Sequence, residues 1–242
     1  MVWYQQRGEV LLEYINLIQA SFLRRPNRFT AWCRRRDNGQ EVLCHVRNTG
    51  RCAELLLPQA QVWIQHSPSA QRKTAYTLVH VQKGSQLVNL DSLAPNRLFA
   101  EGINSGAIVL PGMGEVLKLR PEVTIGSSRL DYLVQGTKKT YYCEIKGVTL
   151  EQGETALFPD APTQRGLRHL LELEQLAQQG YGAAVIFLVQ MQAACFRPNR
   201  EAQPEFAQAL AKVRQAGVQV RSYSCTVTPE QVLVKQELPV LL

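Results

Sequence analysis

The sequence lacks the spacings that mark a structural zinc site. Its six cysteines include no C-x-x-C pair and its four histidines include no H-x-x-x-H pair, so a zinc-stabilised fold is not expected. A disulfide framework is also not expected, because a chain of 242 residues with 45% hydrophobic content can build a packed core without staples. We therefore predict reduced, partly buried thiols, as in a cytoplasmic protein.

Features that direct a chain to a membrane are missing as well. Residues 1–9 lack the basic-then-apolar order of a signal peptide, and no apolar run approaches the length of a bilayer span. These absences predict a cytoplasmic location and no membrane partner. The sequence also contains no internal repeat, and it leaves the oligomeric state open, with a homodimer as one option.

Acidic residues are too few to balance the basic ones. Lys and Arg number 27 against 20 Asp and Glu, which gives a formal net charge of +7. The excess is strongest before residue 90, in clusters such as Arg34-Arg35-Arg36 and Arg72-Lys73. The positive electrostatic field of such a charge attracts polyanions, so DNA is the predicted partner. The alternative is a basic surface that only aids solubility.

The first part of the chain, residues 1–84, shows short β segments separated by turn signals. Asp37-Asn38-Gly39 is a hairpin signal, and Pro58, Pro68 and Gly84 separate other segments. This pattern predicts an OB-like five-stranded β-barrel, a fold whose exposed groove suits oligonucleotides. The predicted strands cover residues 9–18, 28–35, 41–46, 61–66 and 75–82.

Two neighbouring strand-like segments, 128–135 and 140–146, carry the acidic residues with the clearest chemical meaning. A four-residue loop between them predicts a hairpin that places Asp131 opposite Glu144, with Lys146 on the face of Glu144. Opposed carboxylates repel each other unless a cation lies between them, and Mg²⁺ or Mn²⁺ would supply that charge. The alternative is an ordinary solvated face, because E-x-K is a very short motif.

The elements around this hairpin belong to a mixed α/β domain, predicted for residues 85–242. Their order of helix, three strands, helix and strand resembles the core of the PD-(D/E)XK nuclease superfamily, in which Asp131 and Glu144-x-Lys146 occupy the matching places. The predicted helices start at Pro95, Thr163 and Pro204 and end near Gly106, Gly180 and Ala216, and the predicted strands cover residues 116–125, 129–135, 140–146, 183–189, 218–225 and 231–235.

Eight short segments carry a closer resemblance. They are Arg25-Pro26-Asn27-Arg28-Phe29, His45-Val46-Arg47-Asn48-Thr49-Gly50-Arg51, Arg72-Lys73-Thr74-Ala75-Tyr76, Pro95-Asn96, Ser128-Arg129-Leu130-Asp131, Glu144-Ile145-Lys146-Gly147-Val148-Thr149-Leu150, Phe158-Pro159-Asp160-Ala161 and Arg165-Gly166-Leu167-Arg168-His169-Leu170. Over essentially its whole length the chain resembles the sugar fermentation stimulation protein A (SfsA) family. Gly147, Cys52 and Arg47 depart from the usual residues, but none of them touches the acidic site.

The resemblance implies non-specific DNA binding linked to the regulation of sugar, especially maltose, utilisation. The alternative is a Mg²⁺-dependent endonuclease, in which Asp131 and Glu144 hold the metal and Lys146 serves water and phosphate. Whether the protein is an enzyme stays open at this point. Glu101, on the preceding helix, is a candidate extra acidic ligand or an exposed helix carboxylate.

Basic and polar residues in four places are candidates for nucleic-acid contact. His45, Asn48 and Arg51 lie in a turn-rich segment and could instead form hydrogen bonds with their own backbone. Arg168 could pair with Glu172 on its helix. Tyr76, near Arg72 and Lys73 in the sequence, could be an aromatic platform for a base or a core residue. The candidates are Arg25 and Arg28; His45, Asn48 and Arg51; Arg72 and Lys73; and Arg165, Arg168 and His169.

Overall fold

A computed structural model of the chain describes residues 10–48, 50–68, 73–126 and 128–242. Strands in the first part of these ranges alternate buried and exposed residues, as expected for a sheet with one face on a core. They are β1 (Leu11–Glu13), β2 (Leu17–Asn27), β3 (Thr30–Arg35), β4 (Glu41–Val46), β5 (Gln61–His66), β6 (Tyr76–Lys83) and β7 (Gln86–Asn89).

A closed five-stranded barrel, as predicted, is formed by β2 to β6. The strand order is β4-β3-β2-β5-β6, and a parallel pairing between β4 and β6 closes the barrel. Inward-facing residues such as Ala20, Phe22, Ala31 and Cys33 are buried in its interior. The outer faces of β3 and β4 therefore remain available to a ligand.

The first predicted barrel strand was wrong, and the predicted boundary after residue 84 falls inside a hairpin. Residues 11–13 form β1, which pairs with the last strand of the chain, and the barrel begins only at Leu17. No predicted strand covered residues 19–27, yet they lie in β2, where Ala20 and Phe22 are buried in the barrel. Gly84 and the residue after it form the turn that joins β6 to β7.

The second part of the chain forms a seven-stranded sheet with helices on both faces and a small three-stranded sheet. Its helices and the strands around the acidic hairpin were predicted, whereas β11, β12 and β14 were not. The elements are α1 (Ala94–Ser105), β8 (Val116–Ile125), β9 (Ser128–Gly136), β10 (Thr140–Val148), β11 (Leu150–Gln152), β12 (Thr155–Phe158), α2 (Gln164–Gln178), β13 (Gly182–Val189), β14 (Cys195–Pro198), α3 (Pro204–Gln215), β15 (Gln219–Val227) and β16 (Gln231–Leu238).

The large sheet has the order β1-β16-β15-β13-β10-β9-β8, with β10, β13 and β15 parallel. All eight residues of β13 are buried, as expected for a strand covered on both faces. Leu98 and Phe99 of α1 pack on one face of the sheet, and Leu170 and Leu173 of α2 pack on the other. The β9–β10 hairpin therefore lies between α1 and α2.

Within the described ranges, no helix is both long and apolar enough to cross a membrane. All six cysteines are free and five of them are buried, in agreement with the predicted reduced thiols.

Candidate acidic site and nucleic-acid interface

The β9–β10 hairpin has the predicted register. Gln135 pairs with Thr140 and Leu133 pairs with Tyr142, but the ladder ends at the next pair, just before Asp131 and Glu144. The Ile145 N–H donates instead to Asp131 Oδ2 at 2.8 Å. The two carboxylates are therefore neighbours at the end of the ladder, and not a regular cross-strand pair.

Asp131 is held from α1 as well as from β10. Asn96 Nδ2 donates to Asp131 Oδ1 at 3.3 Å, and the Tyr132 hydroxyl donates to the Asn96 carbonyl oxygen at 3.0 Å. Burial, and then the nearby charge of Glu144, raise the pKa of Asp131. Asn96 was not among the predicted site residues, although Pro95-Asn96 is one of the segments that carry the family resemblance.

Glu144 is only 2% exposed, so its charge needs partners. Its Oε1 atom accepts hydrogen bonds from Lys146 Nζ and from His169 Nδ1, the latter at 2.5 Å. Burial alone would raise the pKa of Glu144, but the His169 hydrogen bond and the Lys146 charge outweigh burial and hold this pKa below its usual value. Its Oε2 atom is buried and has no hydrogen-bond partner among the described residues.

His169 is a partner of Glu144, which corrects its predicted role as a nucleic-acid contact. The residue is only 1% exposed, because α2 packs this face onto the sheet. Thr163 caps the helix by accepting from the Gly166 N–H at 3.0 Å. Arg165 Nε donates to His169 Nε2 at 3.4 Å, an arrangement that assigns the ring proton to Nδ1.

Two arginines of α2 remain exposed beside this pair. Arg165 and Arg168 lie in the first turns of the helix. The alternative ion pair of Arg168 with Glu172 is not among the salt bridges between described residues, and Glu172 Oε2 is buried without a partner there. The phosphate contacts predicted for both arginines stay predictions.

The chemistry of this site fits a hard divalent cation. Asp131 and Glu144 offer carboxylate oxygens with unused lone pairs, and a partnerless buried carboxylate oxygen is costly without a cation. No group of three or more His, Cys, Asp or Glu residues suited to a metal is present in the described parts of the chain. Two carboxylates fit Mg²⁺ or Mn²⁺, for which water and phosphate complete the coordination shell.

Glu101, the third predicted acidic residue, is half-buried on α1. It follows Asn96 by five residues, about 140° around the helix axis. Its part in the site stays a prediction.

The hairpin of β2 and β3 carries arginines stacked on aromatic rings. Arg28 Cζ lies 4.9 Å from the centroid of Phe29, a residue that is 46% exposed, and Arg24 Cζ lies 5.7 Å from that of Trp32. His45 is exposed opposite Thr30 on the neighbouring strand. Base-stacking rings with cations beside them are typical of barrels that bind single-stranded nucleic acid.

Arg25 and Asn48, both predicted nucleic-acid contacts, hold the chain in place. Arg25 uses four of its five N–H groups, donating to the carbonyl oxygens of Arg28, Asn48, Gly50 and Arg51. Asn48 Oδ1 accepts from the Gly50 N–H at 2.9 Å, so this side chain satisfies its own turn. Among these residues, Arg28 and Arg51 keep exposed side chains.

The third predicted basic group lies in the loop between β5 and β6. Lys73 is exposed at the edge of this loop, whereas Arg72 lies outside the described residues. Tyr76 packs against His66, with ring centroids 4.9 Å apart, and its hydroxyl accepts from Arg35 Nη1 at 2.9 Å. Tyr76 is therefore a supporting residue of the barrel.

Comparisons with known proteins agree with both halves of this fold. Residues 23–90 match the SfsA N-terminal OB domain, and residues 93–231 match the sugar fermentation stimulation protein RE domain. A sugar fermentation stimulation protein homolog of Desulfitobacterium hafniense (strain Y51) is 40% identical over 222 residues, 91% of this chain and 94% of the relative. A homolog of Enterococcus mundtii is 44% identical over 234 residues, 94% of this chain and 95% of the relative.

A solved structure is similar over almost the whole chain. It is that of Pyrococcus furiosus SfsA in complex with Ca²⁺, with a TM-score of 0.85, 29% sequence identity, and coverage of 96% of this chain and 98% of that chain.

Proposed function

This chain belongs to the sugar fermentation stimulation protein family, and we propose that it binds DNA without strong sequence preference and regulates sugar, especially maltose, utilisation. In this proposal the barrel binds the DNA strand, and the acidic site binds a divalent cation, Mg²⁺ or Mn²⁺. The similar Pyrococcus furiosus SfsA structure is a complex with Ca²⁺, which supports divalent-cation binding by a protein of this fold. We propose a cytoplasmic location and leave a homodimer open.

The observation that carries DNA binding is the arginine–aromatic face of the β2–β3 hairpin. In OB barrels, oligonucleotides lie across the second and third strands and touch the loops that join strands one to two and four to five. Here those loops hold Arg28 with Phe29, and Lys73. An exposed ring next to a guanidinium binds a base by stacking and a phosphate by charge, with no need for a particular sequence.

Fluorescence anisotropy of labelled single-stranded and duplex DNA, over a range of KCl concentrations, tests this proposal. Removing the Arg28 charge in Arg28→Gln should reduce the slope of log K against log salt by roughly 0.7 to 0.9 for the lost phosphate contact. Phe29→Ala should weaken single-strand binding by about 1–3 kcal/mol. Lys235→Gln, which removes an exposed charge on β16, is the matched control. Binding that is absent at low salt, or that does not change with salt, contradicts the proposal.

A second function, metal-dependent cleavage of phosphodiester bonds, is favoured by the contact between Lys146 and Glu144. When bound, the cation would polarise a phosphoryl oxygen and lower the pKa of a water ligand. Asp131 and Glu144 would hold the cation, and the Lys146 ammonium would orient water or offset phosphate charge. His169 fixes the Glu144 carboxylate in place, so that Oε2 stays directed away from the imidazole.

Incubation of the full chain with several DNA and RNA structures, with Mn²⁺ or chelator, separates the two functions. Lys146→Met should abolish cleavage and keep DNA binding, because the lysine is not a metal ligand in this scheme. Cleavage that survives both chelator and Lys146→Met contradicts the catalytic role. DNA binding without any cleavage leaves the first function alone.

A further inference from the structure

A cavity of about 180 Å³ lies where the barrel meets the second domain, at the end of β10. The barrel contributes the loop after β4, and the second domain contributes the end of β10 and the loop between β12 and α2. The lining residues used below are Asn48, Gly50, Gly147, Leu157, Phe158 and Asp160.

Three of the segments that carry the family resemblance meet at this cavity. They are residues 45–51, 144–150 and 158–161. A fourth segment supports it, because the Arg25 guanidinium holds the carbonyl oxygens of Asn48, Gly50 and Arg51. Neither barrel stacking nor cation binding uses the loop around Asp160. What these four segments share is that they line or support the cavity.

The cavity shares a wall with the acidic site. Gly147 directly follows Lys146, and a Cβ atom on Gly147 would lie 2.8 Å from Pro95 Cγ, so the Gly147 backbone packs closely against the Pro95 ring. Pro95 in turn precedes Asn96, which holds Asp131. At about 3.3 Å per strand residue, the lining residues after Lys146 lie within roughly 10 Å of it. A DNA strand with a phosphate at Lys146 would therefore have a neighbouring base within reach of the cavity.

The polar lining of the cavity accepts hydrogen bonds. A Cβ atom on Gly50 would lie 2.5 Å from Asp160 Oδ2 and 2.9 Å from Asn48 Oδ1. Asn48 Oδ1 already accepts from the Gly50 N–H, so Asp160 supplies the acceptor for a ligand. The Asp160 carboxylate repels phosphate and attracts N–H donors. Leu157 and Phe158 supply apolar surface, and the volume lies below the roughly 300 Å³ at which pockets for drug-sized ligands begin. The carboxylate, the apolar surface and the small volume fit a single flat aromatic ligand whose edge carries N–H donors.

We propose that the cavity takes a single unstacked nucleobase of DNA bound at the acidic site, with its Watson–Crick edge facing Asp160. This proposal rests on the proposed DNA binding. Guanine presents two adjacent N–H donors on that edge and suits a carboxylate best, whereas thymine presents one. Because unstacking is least costly in single strands and at mismatches, such DNA is the preferred partner.

A single titration tests strand binding and base capture separately. Single-stranded DNA with one 2-aminopurine, whose fluorescence rises on unstacking, is titrated with the full chain while anisotropy and intensity are both recorded. Wild type should bind and brighten the probe. Leu157→Trp, which fills the cavity, should bind the strand and lose the brightening. Leu117→Trp, at a residue of β8 that is 69% exposed, is the matched control and should behave as wild type.

A second variant keeps the test decisive if Leu157→Trp does not fold. Asp160→Asn changes only an exposed carboxylate, and it should reduce the preference for guanine over thymine at a single variable position about tenfold. Strand binding without brightening in wild type, or with equal brightening in Leu157→Trp, overturns the cavity proposal and leaves DNA binding intact. Absence of strand binding by wild type overturns both.

Discussion

Two clusters of buried charge adjoin α1, and their hydrogen bonds are completed to different degrees. In the first, which precedes the helix, Asp91 is fully buried. Its Oδ2 atom accepts from Arg47 Nη1 at 2.6 Å and from the Tyr14 hydroxyl at 3.3 Å, and its Oδ1 atom accepts from the Leu93 N–H at 3.1 Å. Both carboxylate oxygens are therefore satisfied by the protein itself.

The second cluster is the acidic site, where the hydrogen bonds are not all made. Glu144 is almost as deeply buried as Asp91, yet its Oε2 atom has no partner in the described parts of the chain. Next to it, burial and the Glu144 charge raise the pKa of Asp131. A completed network stabilises the fold, whereas an incomplete one has the capacity to bind a ligand. The first cluster joins the barrel to the second domain, and the second one is the proposed cation site.

Breaking the completed cluster should have the largest effect. Arg47→Met leaves the Asp91 charge buried without its cation and should reduce the free energy of unfolding by about 3–5 kcal/mol. Urea denaturation measures this change. Arg34→Met is the control, because Arg34 and Glu41 form a pair whose side chains are 52% and 50% exposed and should contribute less than about 1 kcal/mol. Equal losses in both variants would mean that the Asp91 pair is not structural.

His80, whose ring lies edge-on to Tyr14 of the completed cluster with ring centroids 4.9 Å apart, should also make stability depend on pH. Burial lowers the pKa of this histidine to about 4, although its Nε2 atom bonds to the Pro229 carbonyl oxygen. The unfolded chain takes up the proton below about pH 6.5 and the folded chain only near pH 4. Stability should therefore be constant above pH 6.5 on this account and fall by roughly 3 kcal/mol as pH drops to 4.

Urea denaturation at a series of pH values, with wild type and His80→Gln, isolates the contribution of this histidine from that of the carboxylates. The difference in free energy of unfolding between the two proteins should change between pH 6.5 and 4. A difference that is the same at every pH would show that His80 titrates normally in the folded state.

In the acidic cluster, His169 should tune metal binding without being a ligand. Partners that orient a metal ligand typically alter affinity 10- to 100-fold, so His169→Phe should weaken divalent binding by about that factor. His169→Asn, which keeps an amide donor toward Glu144, should recover part of the loss. Arg168→Gln, an exposed change on the same helix, is the control. Unchanged affinity in His169→Phe would remove the positioning role.

The smallest effect is expected from Asp131→Asn without metal. The raised pKa means that the ionised form of Asp131 is disfavoured in the folded protein, so removing this charge should stabilise the chain at neutral pH by on the order of 1 kcal/mol. Denaturation in the presence of chelator measures this gain. Asp37→Asn, which removes an exposed partner of Arg35, should give no gain. A destabilised Asp131→Asn would mean that its hydrogen bonds matter more than its charge.

Local patterns predicted the hairpin, the helices and the residue types of the acidic site. A short loop and a period of two determine the pairing of Gln135 with Thr140, and a proline or threonine marks the start of each helix. The pairing of β1 with β16 could not be predicted in this way, because a strand of three residues at the start of the chain finds its partner near the other end.

The roles within the site depended on contacts that are distant in sequence. The bond between His169 and Glu144 joins residues 25 apart, and the acceptors of Arg25 are backbone carbonyl oxygens that no motif displays. A buried histidine and an exposed one look the same in a sequence. The assignment of His169 therefore needed the packing of α2 on the sheet.

We propose that the incomplete acidic cluster is a divalent-cation site. The most direct test is calorimetric titration of Mn²⁺, Mg²⁺ and Ca²⁺ into the full-length wild type, Asp131→Asn and Glu144→Gln, with and without DNA. Wild type should bind at least one of these ions, and each substitution should abolish or strongly weaken this binding. No binding to wild type at millimolar ion, or binding that is unchanged in Glu144→Gln, would contradict it.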